Sequence, residues 1–199
     1  MRSTLETIVV LILPKSCFLH VPKTGGSWVR KAIKAAGIAC EDFSLGDNHH
    51  PGLADCPCPD KFKFAFVRHP LSLYRSYWQY KMTYGWDAGN LIDNECRADN
   101  FHTFVTNVLE KLPGIYSRSL HEFVGPPDQP IEFIGKYENL VEDLVTALQL
   151  AGEQFDPAAI RNLPPYNVSD KKSFPAAFTP ALEAHVLAAE AEAVSRFRY

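Results

Sequence analysis

Hydrophobic and polar positions along the chain fall into two alternating periods. Short apolar runs at 17–21, 62–67 and 131–137 read as buried strands. After the first run, Trp28, Val29, Ala32, Ile33 and Ala36 repeat at helical spacing over 27–36, with Gly37 as the stop. After the second, His69-Pro70 opens a helix running to about Met82, with Pro70 in its first turn. After the third, Leu140, Val141, Leu144, Val145 and Leu148 form a helical stripe up to Gly152. Two more helices are predicted. Phe101, Phe104, Val105, Val108 and Leu112 place one over 100–112, ended by Pro113-Gly114, and Thr179-Pro180 caps a closing helix to about Phe197. The run 8–13 is either a further buried strand or part of a loose N-terminal segment within 1–15, and 43–60, 85–99, 113–130 and 153–178 read as loops. Strands alternating with helices predict an α/β fold, doubly wound around a mainly parallel sheet, with function on the loops at the carboxyl ends of the strands.

Composition narrows this picture. A chain of 199 residues, 46% of them hydrophobic, is long enough for one well-buried domain spanning 1–199 and short for two. The net charge of −3 supplies no global attraction for nucleic acid, so any polyanion has to be met by local charge. The apolar run at 8–13 is too short to span a bilayer and lacks the small-residue cleavage site of a signal peptide, so no membrane insertion is expected. Five cysteines, Cys17, Cys40, Cys56, Cys58 and Cys96, form no even framework, which fits reduced thiols and a cytoplasmic location.

The chemistry concentrates first in FLHVPKTGGSWV, residues 18–29. A strand that runs into a glycine turn and then a helix aims several backbone N–H groups and the positive helix end at one spot, which suits a phosphate or sulfate. Gly25 and Gly26 allow close backbone approach, Lys23 adds a full positive charge, and Thr24 and Ser27 add hydroxyls. The order differs from the nucleotide-triphosphate loop GxxxxGK[ST], because Lys23 here precedes the glycines. By itself this turn also fits an ordinary strand-to-helix connection. A second stretch, FAFVRHPLSLYRSYW, again puts a cation, Arg68, at the end of a buried strand, with Ser76 eight residues on. Two anion sites on neighbouring strands point to one ligand with two phosphate-like ends.

PKTGGSW together with Arg68 and Ser76 resembles the sulfotransferases that use 3′-phosphoadenosine 5′-phosphosulfate (PAPS). IGKYENLVEDL is similar to the family's Tyr-Glu-Asn/Asp-Leu segment, and NVSDKKSF with the closing helix resembles the carbohydrate branch that includes heparan sulfate 2-O-sulfotransferases. The resemblance covers about residues 16–199 and implies a P-loop-like three-layer fold, a central mainly parallel sheet flanked by helices, and O-sulfation of an acceptor without a metal. It implies that Lys23, Thr24, Gly25, Gly26, Ser27 and Trp28 hold the 5′-phosphosulfate, that Arg68 and Ser76 hold the 3′-phosphate, that Tyr137 lies near adenine, and that Lys171 and Lys172 approach the 3′-phosphate. Core packing is the competing role for Trp28 and Tyr137, and a solvated charge pair for Lys171 and Lys172. One departure stands out: Leu73 occupies the place of a second Arg often found in that branch, while Arg75 faces a different side of the helix.

Sulfuryl transfer requires a base for the acceptor hydroxyl and charge relief at the leaving oxygen. Lys23 is expected to give the relief. GDNHHPGLAD offers the base, His50 first and His49 second, because imidazole titrates near neutral pH and this loop precedes the Arg68 strand as the catalytic-His loop does in that branch. Asp47 and Glu41 are the next candidates. His49, His50, Cys56 and Cys58 fall within ten residues, but Cys-Pro-Cys is tighter than the usual zinc pair, so no metal is assigned. Tyr74, Tyr77, Trp78, Tyr80, Tyr84 and Trp86 have sugar-stacking character and also helix-core spacing, and core packing suits most of them better. The acceptor is a saccharide or another small hydroxylated molecule, and the oligomeric state stays open. Two rival classes remain, a P-loop phosphotransferase and a non-catalytic nucleotide-binding module.

Overall fold

The computed structural model describes residues 10–45, 51–166 and 173–199. Strands β1 (Val10–Ile12), β2 (Ser16–Leu19), β3 (Glu41–Phe43), β4 (Phe62–Val67) and β5 (Phe133–Lys136) form one mixed sheet, ordered β3-β1-β2-β4-β5. Helices α1 (Gly26–Ala35), α2 (Pro70–Tyr84), α3 (Leu91–Cys96), α4 (Phe101–Lys111), α5 (Ile115–Val124), α6 (Leu140–Leu150), α7 (Pro157–Arg161), α8 (Pro180–Ala189) and α9 (Ala191–Phe197) complete the α/β architecture. The chain divides into two compact units, residues 1–67 with 120–167, and residues 68–119 with 168–199.

The three predicted strands form a continuous parallel block, since β2 pairs with β4 and β4 with β5 in parallel. The expectation of a mainly parallel sheet is corrected on the other side, where β1 pairs antiparallel with both β2 and β3. The reason is local. The turn at Pro14-Lys15, closed by Leu13 N–H donating to Ser16 O at 2.8 Å, is far too short for a parallel crossover and can only return the chain antiparallel. The run at 8–13 thus contains a buried strand, with Val10 and Leu11 inaccessible. Glu153 fastens the hairpin to the end of α6, its Oε1 accepting from Lys15 N–H and from Ser16 Oγ, both at 2.8 Å.

In the first unit, alternate strand residues face the helices. Phe18 and Phe64 are paired across β2 and β4 with ring centroids 5.4 Å apart, and with Phe66 they pack against Trp28, Val29 and Ile33 of α1 and Leu144 and Leu148 of α6. In the second unit, Tyr74 and Trp78 of α2 pack with Phe104 and Val108 of α4 and Val186 of α8. The aromatic run after Arg68 therefore serves mainly as core, although Tyr84 is left exposed.

Several helix ends follow the expected chemistry. Asn100 Oδ1 accepts from Thr103 N–H at 2.8 Å, Thr179 Oγ1 accepts from Leu182 N–H at 3.2 Å, and Pro70 and Pro180 occupy first turns. The predicted closing helix is corrected to two pieces, broken at Glu190, where the backbone leaves helical geometry and the side chain is wholly buried. Four elements lie in or at the edges of segments read as loops. β3 is a polar edge strand with no apolar signature, and α3 and α7 are five or six residues long. α5 did carry a signal, since its buried Tyr116, Leu120, Phe123 and Val124 recur at helical spacing. No helix among the described residues is long and apolar enough to cross a membrane.

Candidate functional site

The parallel block gives β2, β4 and β5 a common carboxyl edge. Each strand there runs straight into one of the motifs singled out in the sequence. β2 leads through His20 into the Lys23 turn, β4 is followed at once by Arg68, and β5 by Tyr137.

The turn after β2 is built by two left-handed residues, Lys23 with φ 64° and Gly25 with φ 88°. Thr24 is fully buried between them and donates its hydroxyl to Val21 O at 2.8 Å, so its side chain closes the turn from inside. Gly25 O receives Trp28 N–H at 2.9 Å and Val29 N–H at 3.1 Å, which starts α1. That helix has no side-chain cap and no acidic residue in its first turn. Its N-terminal amides and positive dipole end are therefore unneutralised by its own residues, beside the backbone of a lysine.

Both glycines meet protein neighbours. A Cβ on Gly25 would stand 2.7 Å from Leu140 Cδ2 and 3.3 Å from the Tyr137 ring, and one on Gly26 would stand 2.0 Å from His20 Nε2. The sequence assigned these glycines to approach of an anion; the structure shows that side chains already require them. His20 is a residue that the sequence reading missed. It lies half-buried against Phe18, with centroids 5.8 Å apart, and its imidazole covers the first residue of α1. Its one available signal was its place inside the FLHVPKTGGSWV stretch, directly after β2.

The remaining positions of this unit are also defined. Trp28 belongs to the core and donates Nε1–H to Pro164 O at 3.2 Å, while Ser27 is half-buried in the first turn of α1. Tyr137 is half-buried against Gly25. Its segment is held by Asp143, which accepts from Lys136 N–H at 2.6 Å and from Asn139 Nδ2 at 2.7 Å.

In the second unit Arg68 is half-buried and held at three points. Its N–H donates to Tyr116 Oη at 2.9 Å, its carbonyl accepts from the same hydroxyl at 2.8 Å, and its Nε–H donates to Ser72 Oγ at 2.9 Å. His69 caps α2, its Nδ1 accepting from Leu71 N–H at 3.2 Å. Leu73 and Ser76 are buried on α2, whereas Arg75 is exposed with its guanidinium 5.0 Å from the Phe178 ring centroid, so Arg75 does face a different side of the helix from Leu73.

His49, His50, Asp47, Lys171 and Lys172 lie outside the described residues, and Glu41 is exposed on β3. Among the described residues no group of three or more His, Cys, Asp or Glu side chains is placed to hold a metal ion. Comparison with protein-family models, with curated proteins and with solved structures found no match to this chain.

Proposed function

We propose that the chain is a PAPS-dependent sulfotransferase that moves a sulfuryl group to a hydroxyl, with a saccharide as the favoured acceptor class. The observation that carries this reading is topological: the Lys23 turn and Arg68 follow the carboxyl ends of adjacent parallel strands, and Tyr137 follows the third. Ligands in open α/β sheets bind at that edge. The donor set fits a doubly anionic nucleotide. Uncapped α1 amides and Lys23 suit a phosphosulfate, and the fork of Arg68, braced at Nε by Ser72, suits a phosphate. A P-loop-like, three-layer arrangement is part of the same proposal, as is a cytoplasmic location.

In this reading Lys23 offsets negative charge on the leaving phosphate oxygen, where a positive charge is worth more in the transition state than in the ground state. His50, with His49 as the alternative, removes the proton of the acceptor hydroxyl. Ser76 contributes its hydroxyl to the 3′-phosphate site. PAPS supplies the activated sulfuryl group.

Thermal shifts with adenosine 3′,5′-bisphosphate, adenosine 5′-phosphate and ATP with magnesium test the binding half. The bisphosphate is expected to stabilise the protein without metal and well beyond the monophosphate. Equal shifts for the two would remove the 3′-phosphate assignment, and a shift for ATP with magnesium alone would favour a phosphotransferase. Transfer from labelled PAPS to a panel of saccharides and small alcohols tests the catalytic half. Binding with no transfer to any acceptor would favour a non-catalytic module.

A further inference from the structure

Glu190 is wholly buried at the break between α8 and α9, and nothing in the transferase reading uses it. It stands at the start of α9, yet its side chain caps none of that helix's own amides. It turns instead to α5, where Oε2 accepts from Ser117 N–H at 2.8 Å and from Ser117 Oγ at 2.6 Å, and Oε1 accepts from Tyr116 N–H at 3.3 Å. These are first-turn amides that α5 cannot satisfy itself, at the positive end of its dipole. Ser117 Oγ in turn accepts from Ala193 N–H at 3.2 Å, so the starts of α5 and α9 are fastened to each other. Oε1 has a second partner, Tyr74 Oη of α2, which donates at 2.6 Å.

Both partners of Oε1 lead back to Arg68. Tyr116 grips the backbone N–H and carbonyl of Arg68 through its hydroxyl. Tyr74 belongs to α2, the helix that begins two residues after Arg68 and carries Ser72, whose Oγ accepts the Arg68 Nε–H at 2.9 Å. One carboxylate oxygen thus holds the residue that clamps the Arg68 backbone and the helix that braces its guanidinium. A fork tied at both places from a common point has little freedom to turn, which is what bidentate recognition of an anion requires.

We propose that Glu190 is a positioning residue for Arg68: by holding Tyr116 and Tyr74 together, its carboxylate sets where the guanidinium lies and how it is aimed. Glu190 itself touches no ligand. That the anion so received is the 3′-phosphate of a nucleotide rests on the transferase reading, whereas the positioning of Arg68 does not.

Nitrogen-15 NMR of the full chain tests the positioning without any ligand. The Arg68 Nε–H resonance, assigned by its disappearance in Arg68→Lys, is expected to shift or broaden in Glu190→Gln and to a smaller extent in Ser117→Ala, while Asp93→Asn leaves it in place. Asp93 is the control because it is another buried carboxylate of this unit, tied to Tyr77 and Lys81 of α2. Calorimetric titration then compares adenosine 3′,5′-bisphosphate with adenosine 5′-phosphate. Glu190→Gln is expected to lower the ratio of the two affinities about tenfold, inside the range for residues coupled through one hydrogen-bond network, and to lower it much less once Tyr116→Phe is in place. Loss of stability alone would move both nucleotides equally. An unmoved Arg68 resonance overturns the proposal, as does an unchanged ratio where Arg68→Ala itself lowers it. A moved resonance with a ratio that even Arg68→Ala leaves unchanged upholds the positioning and removes the 3′-phosphate reading. Ser117→Ala loses a single hydroxyl, so the same measurements decide the matter if Glu190→Gln does not fold.

Discussion

The phenol of Tyr116 closes on both backbone groups of Arg68, donating to its carbonyl at 2.8 Å and accepting its N–H at 2.9 Å. A single side chain thus satisfies both backbone groups of the residue at which the chain leaves β4. Tyr116→Phe should destabilise the protein by about 1–3 kcal/mol, the cost of leaving such groups without partners. Urea unfolding measures this. The variant should also lose more affinity for adenosine 3′,5′-bisphosphate than for adenosine 5′-phosphate, because the Arg68 fork is aimed by its backbone.

Arg68→Ala tests that residue directly. Its loss should weaken adenosine 3′,5′-bisphosphate by about 1.5–3 kcal/mol, the range for a hydrogen bond to a charged group, and leave adenosine 5′-phosphate nearly unaffected. Calorimetric titration of both nucleotides gives the comparison, and equal losses would place Arg68 outside a 3′-phosphate site.

His20 and Gly26 form a tight steric pair, with a Cβ at Gly26 only 2.0 Å from His20 Nε2. Gly26→Ala should therefore cost about 1–3 kcal/mol of stability as an overpacking change. Adding His20→Ala should recover much of that loss. A double-mutant cycle on denaturant midpoints detects the coupling; additive effects would show that the ring simply moves aside.

Glu190 is fully buried and accepts four hydrogen bonds, from Tyr74 Oη at 2.6 Å, Ser117 Oγ at 2.6 Å, Ser117 N–H at 2.8 Å and Tyr116 N–H at 3.3 Å. Glu190→Ala removes every acceptor at once and should cost at least about 3 kcal/mol, more than Tyr74→Phe, which removes one donor and should cost about 1 kcal/mol. Thermal unfolding of the two variants ranks them.

Tyr74 and Tyr77 give the protein an alkaline limit. Burial raises both phenols above their ordinary range, reinforced by Glu190 beside Tyr74 and by Asp93 beside Tyr77. The unfolded chain releases these protons near pH 10, while the folded chain keeps them. Unfolded molecules then bind fewer protons than folded ones, so this contribution is complete below about pH 10 and is lost as pH rises beyond it. Absorbance near 295 nm should show that Tyr74 and Tyr77 ionise together with alkaline unfolding, with Tyr80, also raised by burial, ionising later than an exposed phenol. Independent titration of all eight near pH 10 would contradict the assignment.

Local pattern alone determined much of this protein. The apolar runs became β2, β4 and β5, and the spacing of Trp28, Val29, Ala32 and Ile33 became the buried face of α1. Pro70, Asn100 and Thr179 began the helices they were expected to begin. These signals are legible because burial of a periodic stripe and satisfaction of a helix end depend on residues only a few positions apart. The three motifs likewise fell at strand ends, as their order in the chain required.

Tertiary structure decided what depends on partners distant in the chain. Nothing near Glu190 in sequence announces that its carboxylate will be held inward by Tyr74 and Ser117 at the point where the final helix divides. Gly25 and Gly26 read as room for an anion, and the structure adds a second demand on them, since side-chain atoms of Leu140 and His20 lie where their Cβ atoms would be. Cys17 and Lys63 are distant in the chain, and only the β2–β4 pairing sets them side by side on one face of the sheet. In each case the determining energy is a contact between side chains brought together by the folded backbone, and a one-dimensional pattern carries no record of which distant residues will meet.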